Sequence, residues 1–284
     1  EEYPMNIKKL IAVTLSAATF ALSLTACGGK SSDSSAGSSS ESTTVKLGVV
    51  GSIYEDLWKP AQESLKAEGI DLEIVQFSDY ATPNNALNSG DIDLNAFQHQ
   101  IYLDNEVEQQ GYKIESIGYT FIIPLNIYSH KVKAISDIKD GDVVAIPDDV
   151  TNGGRAIKVL AAAGLITLKE DAGFNPTLDD IETYNTKITI KELKANTIPS
   201  VLDDVTAAVV NGNYALDFGL KTKEAIYKDS VLDEAKYWNL IAARTEDLQD
   251  KDKVAVYQKV VKAFQSDATE KVFNDTFGGY FIKV

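Results

Sequence analysis

Two stretches hold the residue types best suited to chemistry, "LNAFQHQIY" (residues 94–102) and "AIPDDVTNGGRAIKVL" (residues 145–160). The first carries His99, one of two histidines, between Phe97 and Tyr102, with Tyr80 upstream in "FSDYATP". A histidine there can be a general base, a metal ligand, a pocket wall or ordinary core. In the second stretch a strand runs to Pro147, and a polar loop offers Thr151 and Asn152 as N-caps. Arg155 then falls in the first turn of the helix they open. A helix start favours an anion, and an arginine adds a planar, two-pronged partner for a carboxylate. Gly153 and Gly154 let backbone approach closely. Asn211 closes the apolar run "AAVV", and Asn239 sits inside "YWNLI". Amides in such places need partners if buried, from the backbone or from a polar ligand. On residues alone the plainer alternatives stay open: the aromatics as core, and Arg155 as a solvated side chain.

The elements that must position these residues follow from periodicity. "VKLGVV" (residues 45–50) is a short apolar run closed by Gly51 and reads as a buried strand. Leu57, Trp58, Ala61 and Leu65 recur at helical spacing and stop at Gly69. "IDLEIVQF" alternates as a strand, and "TPNNALNSG" supplies a threonine cap, a first-turn proline and a closing glycine. After a β-rich stretch broken by Pro124, a second series begins with "DVVAIP" and continues through "KITIKEL" and "VTAAVV". Alternating strands and helices predict an α/β fold with mostly parallel sheets. The economical arrangement is two lobes, residues 45–125 with 240–284, and residues 126–239. Crossovers near residues 124–128 and 237–239 would form the hinge.

Composition narrows the function classes. The chain has 284 residues, 44% of them hydrophobic, and a net charge of -15. That charge repels phosphate backbones, and no basic run interleaved with aromatics occurs, so no nucleic-acid partner is expected. Neither G-x-x-x-x-G-K-[ST], G-x-G-x-x-G nor G-x-S-x-G is present. Two histidines and one cysteine cannot build a multi-histidine zinc site. "DIDLNAFQHQIY" starts like a calcium loop but has Ala96 for glycine and Tyr102 for the closing glutamate. No cofactor, no metal and no catalytic residue is expected.

The N-terminal part reads as targeting. Lys8 and Lys9 precede an apolar stretch from Leu10 to Leu24, and "LTAC" follows, ending at Cys27. Residues 5–26 form an expected signal peptide beginning at Met5, too short in its apolar centre to span a membrane comfortably. "GGKSSDSSAGSSSESTT" places eight serines in seventeen residues, a flexible tether over residues 27–44.

"GDIDLNAFQH", "DDVTNGGR", "AAVVNGNYA" and "NLIAAR", together with the lipobox-like "LTAC", resemble the MetQ/NlpA family of methionine-binding lipoproteins. The resemblance runs in order through almost the whole chain. It implies a two-lobed, type II periplasmic-binding-protein fold with the ligand in the cleft between lobes. It also implies a non-enzymatic, monomeric receptor, anchored by lipid on Cys27 at the outer face of the cell membrane. The partners would be L-methionine or a related amino acid or dipeptide, an ABC permease and its cytoplasmic ATPase. By motif, Arg155 would take the ligand carboxylate, and Asn211 and Asn239 the amino-acid backbone groups. Tyr80, Phe97, His99 and Tyr102 would line the side-chain pocket. Asn213 is the alternative amide to Asn211. Arg155→Ala is expected to abolish binding and leave the fold intact. A cell-envelope hydrolase or a surface adhesin on the same fold would be the rival reading. Val150 and Gly153 depart from the family's D-P-T-N-x-G-R pattern, where proline and often leucine stand.

Overall fold

A computed structural model describes residues 42–230, 232 and 234–284. The expected signal peptide, Cys27 and all but the last residues of the tether lie outside the described residues. The chain opens with β1 (Thr43–Val50), α1 (Ile53–Ala67), β2 (Ile70–Phe77), α2 (Pro83–Ser89), β3 (Leu94–Asn95) and α3 (Gln100–Gln110). Next come β4 (Ile114–Tyr119), β5 (Phe121–Ile122), β6 (Leu125–Tyr128), β7 (Val143–Pro147), α4 (Val150–Ala162), β8 (Ile166–Leu168) and β9 (Ile181–Tyr184). The remainder is β10 (Thr189–Leu193), β11 (Ala207–Asn211), α5 (Gly212–Asp217), β12 (Leu240–Arg244), α6 (Lys251–Phe264), α7 (Asp267–Asp275) and β13 (Ile282–Lys283).

Two main sheets result, ordered β2-β1-β3-β12-β4 and β10-β7-β11-β6. Each has a parallel centre, β1 between β2 and β3 in one and β7 between β10 and β11 in the other. Antiparallel strands complete them, because the chain crosses between sheets twice and so enters β6 and β12 running the other way. This is the two-lobed α/β architecture, with mixed rather than mostly parallel sheets.

The strand sequences explain why both faces are covered. In β7, Val144 and Ile146 pack with Ile157 and Leu160 of α4, while Ala145 packs with Ile198 and Leu202 on the opposite face. β11 divides likewise, Ala207 and Val209 against Ala208 and Val210. A strand buried on both faces must be apolar throughout, which is the "VVAI" and "AAVV" pattern. In the first sheet the α1 stripe Leu57, Trp58, Ala61 and Leu65 packs on Val45, Leu47 and Val49, joined by α6. Trp58 stacks on Phe264 of α6 at 4.2 Å between ring centroids.

Contacts between loops of the two sheets hold the lobes against each other. The Asp217 carboxylate, at the end of α5, accepts from Ser52 N at 3.0 Å, Ser52 Oγ at 2.7 Å and Ile53 N at 3.1 Å, at the start of α1. Asn213 Nδ2 donates to the Val50 carbonyl at 3.1 Å, and Tyr80 OH donates to Asn213 Oδ1 at 2.5 Å. These bonds join α5, which follows β11 of the second sheet, to the end of β1 and the segments that follow β1 and β2 of the first.

Candidate functional site

The strand ends that face the cleft between the two sheets deliver the site. Tyr80 follows β2, Phe97 and His99 follow β3, and Tyr102 lies in the first turn of α3. From the other side come Arg155 on α4 and Asn211 at the end of β11, while Asn239, just before β12, pairs with His99 on the first-sheet side. These residues line one cavity, together with Tyr54, Gln98, Ile123, Pro124, Leu125, Asn152, Gly212 and Asn213. It encloses about 410 Å³, the open space at its mouth included, which suits a small molecule.

Arg155 departs from the sequence expectation. The N-cap of α4 is Asp149, whose carboxylate accepts from Asn152 N at 2.9 Å, not Thr151 or Asn152. Arg155 consequently stands in the second turn, and the helix start is occupied by Asp149. The Arg155 guanidinium is buried and already paired. Nη2 donates to Asp229 Oδ2 at 2.6 Å and to the Ile123 carbonyl at 3.2 Å, while Tyr237 stacks on it at 4.6 Å. Nε, also buried, has no partner among the described residues. The Asp229 carboxylate is itself buried and also accepts from Leu125 N at 3.1 Å. A donor left over on a positive, desolvated side chain is a strong place for a carboxylate.

Gly153 and Gly154 do allow close approach. A Cβ at Gly153 would lie 2.9 Å from the Pro147 carbonyl oxygen, and one at Gly154 2.9 Å from Asn175 Cα. They seat α4 on its surroundings and so fix where Arg155 emerges.

The two candidate amides differ in what they have left. Asn213 spends both ends on Val50 and Tyr80. Asn211 donates from Nδ2 to Asn152 Oδ1 at 2.8 Å, and its buried Oδ1 has no partner among the described residues. Asn239 uses its backbone to pair with Phe121 and Thr120, and its side-chain amide makes no hydrogen bond to a described residue. The aromatic wall is mutually packed: Tyr80 lies 6.0 Å from Phe97, 6.1 Å from Tyr102 and 4.9 Å from Tyr214, by ring centroids.

His99 has two jobs, and neither is that of a base. Its Nδ1 accepts from Tyr102 N at 3.1 Å and caps α3, and Nε2 faces Asn152 Oδ1 at 3.3 Å. Burial, and secondly the Arg155 charge, push its pKa down from 6.5 to about 3. The ring is neutral at physiological pH. The native state therefore binds fewer protons here than the unfolded chain, so this contribution to stability is full well above pH 6.5. It is lost as pH falls from 6.5 toward about 3, at up to about 1.4 kcal/mol per pH unit. Thermal melts between pH 8 and pH 5 should show that loss in the wild type and a flatter profile in His99→Asn, which keeps a capping group. Equal profiles would contradict the burial of a neutral His99.

The calcium-like residues are otherwise engaged. Asp93 Oδ2 accepts from Lys46 N at 2.8 Å, and Asn95 belongs to a buried amide cluster with Asn84 and Gln98. Among the described residues no group of three His, Cys, Asp or Glu side chains could hold a metal.

With this geometry in place, the comparisons with known proteins agree along the whole folded part. The family model described as NlpA lipoprotein matches residues 45–284. The chain belongs to the NlpA lipoprotein family. A curated member of it, the D-methionine-binding lipoprotein MetQ of Salmonella typhimurium, is 41% identical over 243 residues, 84% of this chain and 88% of that protein. Among solved structures, a nutrient binding protein from Burkholderia cenocepacia bound to methionine is 41% identical, with a TM-score of 0.78 over 84% of this chain and 99% of the other. The substrate binding protein of a methionine transporter from Streptococcus pneumoniae is 32% identical with a TM-score of 0.80, over 85% and 95% of the two chains.

The reading of site residues from sequence left out Asp229, Asn152 and Gly212. Asn152 was visible only as a cap, and Asp229 stands 74 positions from Arg155 in a segment without periodicity. Gly212 carries the clearest missed signal, a glycine directly after a strand-ending asparagine. A Cβ there would lie 2.3 Å from Ile123 Cγ1 and 2.8 Å from Tyr280 Cε1, so only glycine lets β11 and α5 approach the crossover.

Proposed function

We propose that the chain is the solute receptor of an ABC importer, binding L-methionine or a close relative in the cleft and passing it to a membrane permease with a cytoplasmic ATPase. It does so as a monomer, without catalysis. Its lobes are residues 45–125 with 240–284, and residues 126–239. Lipid on Cys27 and the serine-rich tether hold it at the outer face of the cell membrane.

One observation carries this reading. The cavity contains a buried arginine whose Nε donor, and a buried asparagine whose Oδ1 acceptor, have no partner among the described residues. A zwitterionic amino acid supplies the opposite pair, a carboxylate that accepts and an ammonium that donates. Tyr80, Phe97 and Tyr102 suit a thioether, through burial and sulfur–aromatic contacts of about 0.3 to 1.5 kcal/mol each. The names of the relatives support the same ligand class. Arg155 and Asn211 come from one lobe and the aromatics from the other, so a ligand touching both favours closure.

Calorimetric titration tests the proposal on residues 40–284, a compact unit of the chain. The protein is unfolded and refolded first to strip bound ligand, then titrated with L-methionine, D-methionine and glycyl-methionine. Saturable one-to-one binding of free methionine is expected. Binding of the dipeptide alone would keep the receptor and change its substrate. Silence with all three, from a protein that melts cooperatively, would overturn the proposal.

A further inference from the structure

We infer that Asn152, held from two sides by Asp149 and His99, fixes the polarity of Asn211 and makes the cavity select an α-amino group over an α-keto oxygen. The inference deepens the function proposed above and rests on it. An asparagine amide can present either its oxygen or its NH₂ to a cavity, and only its partners decide which. Here the partners form a chain with a fixed direction.

The chain begins at Asp149. An ionised carboxylate accepts hydrogen bonds and cannot donate them. Its two oxygens lie 3.1 and 3.0 Å from Asn152 Nδ2, so the Asn152 NH₂ must face Asp149. Asn152 Oδ1 then points away, toward Asn211 Nδ2 at 2.8 Å and His99 Nε2 at 3.3 Å. His99 imposes the same orientation independently. Its Nδ1 receives the Tyr102 N–H, so that nitrogen is bare and the ring hydrogen sits on Nε2. A hydrogen on Nε2 requires an oxygen opposite it, and Asn152 provides one.

The two constraints meet at Asn211. Its NH₂ is committed to Asn152 Oδ1, so its remaining group is the oxygen, which is the buried atom left without a partner among the described residues. That oxygen accepts from an ammonium and repels another lone pair. Asp149 and Asn152 are thus positioning residues: they set what Asn211 offers without needing to touch the amino group. Asp149 also caps α4, and Asn152 gives the backbone N–H to that cap, so the relay is part of the helix start that seats Arg155.

The test compares the affinity of the full chain, in detergent, for L-methionine and for 4-methylthio-2-oxobutanoate. The two share the carboxylate and the thioether. At the α-carbon a donating, positively charged ammonium is replaced by an accepting, neutral keto oxygen, so the change in their ratio between variants, at constant ligand charge, is the quantity read. Wild type should prefer the amino acid by at least about a hundredfold, or roughly 2.7 kcal/mol. Asn152→Ala retains the Asp149 charge but frees Asn211 to turn, and the preference should fall at least tenfold. Asp149→Asn retains the cap, since asparagine caps as well as aspartate. It should lower the preference by less, because His99 still holds Asn152, and it carries the test if Asn152→Ala fails to melt cooperatively. A role in stability alone would weaken both ligands together and leave their ratio unchanged, and that result would overturn the inference. So would a wild type that binds both equally. A wild type that binds neither would instead overturn the receptor proposal on which the inference depends.

Discussion

Arg155→Ala should abolish methionine binding, by about a thousandfold or more, and should also lower stability by about 3 to 5 kcal/mol. The second effect is absent from the expectation that sequence supports, in which Arg155 serves the ligand alone and the fold survives its loss. The difference lies in Asp229. Its carboxylate is buried against the Arg155 guanidinium at 2.6 Å, with side chains only 3% and 0% exposed. Removing one partner of such a pair leaves the other buried without its arginine counter-charge, which costs more than the pair itself contributes. For a chain of this size the loss corresponds to a fall in melting temperature of roughly 10 °C. Arg155→Met combined with Asp229→Asn removes both charges while keeping approximate volume. That double variant should recover most of the stability and still bind no methionine, by thermal melt and calorimetry together. Wild-type stability in Arg155→Ala would contradict the buried pair.

Gly212→Ala is the second substitution with a large expected effect. Alanine is the better helix former by about 1 kcal/mol, and Gly212 is the first residue of α5, so propensity alone predicts stabilisation. Sterics predict the reverse. The added Cβ would meet Ile123 Cγ1 at 2.3 Å and Cδ1 at 2.5 Å, as well as the Tyr280 ring. Ile123 and Tyr280 belong to the core of the first lobe with Phe121 and Phe281, and the open space beside Ile123 is the cavity itself, so Ile123 yields toward the ligand site. Overpacking of this kind costs about 1 to 3 kcal/mol. Because Asn211 and Asn213 flank the glycine, the displacement should also weaken ligand binding by about tenfold or more. A variant that melts higher than wild type and binds normally would show that the crossover yields more easily than its packing implies.

Some of this fold was legible from residues. "VVAI" and "AAVV" read as strands and the stripe Leu57, Trp58, Ala61 and Leu65 as a helix, because burial wrote an apolar pattern into each. Helix α3 was not legible for the opposite reason. "QIYLDNEVEQQ" buries only Tyr102 and Leu103, and it is held instead by His99 at its cap and by Gly111 in the left-handed region at its end. The parallel-sheet expectation missed β12, whose antiparallel direction is set by where the chain re-enters the first lobe and not by its own residues.

The candidate site divides in the same way. Arg155, Asn211, Asn239 and the Tyr80, Phe97, His99 and Tyr102 group were found by motif and residue type, and they line one cavity. What they do for one another was hidden, since a hydrogen bond across 59 or 74 positions leaves no local pattern. Asp149 shows the limit clearly: a cap and a relay look identical in one dimension. Burial pushes its carboxyl pKa up while hydrogen bonds from Asn152 and Thr151 pull it down, a balance that only the folded neighbourhood sets.

A crystal structure of residues 40–284 with L-methionine tests the central claim most directly. The ligand carboxylate should lie on Arg155 with Nε as one donor, the ammonium on Asn211 Oδ1, and the thioether among Tyr80, Phe97 and Tyr102. Methionine bound outside the cleft, or with its carboxylate turned away from Arg155 toward the aromatic wall, would contradict the account.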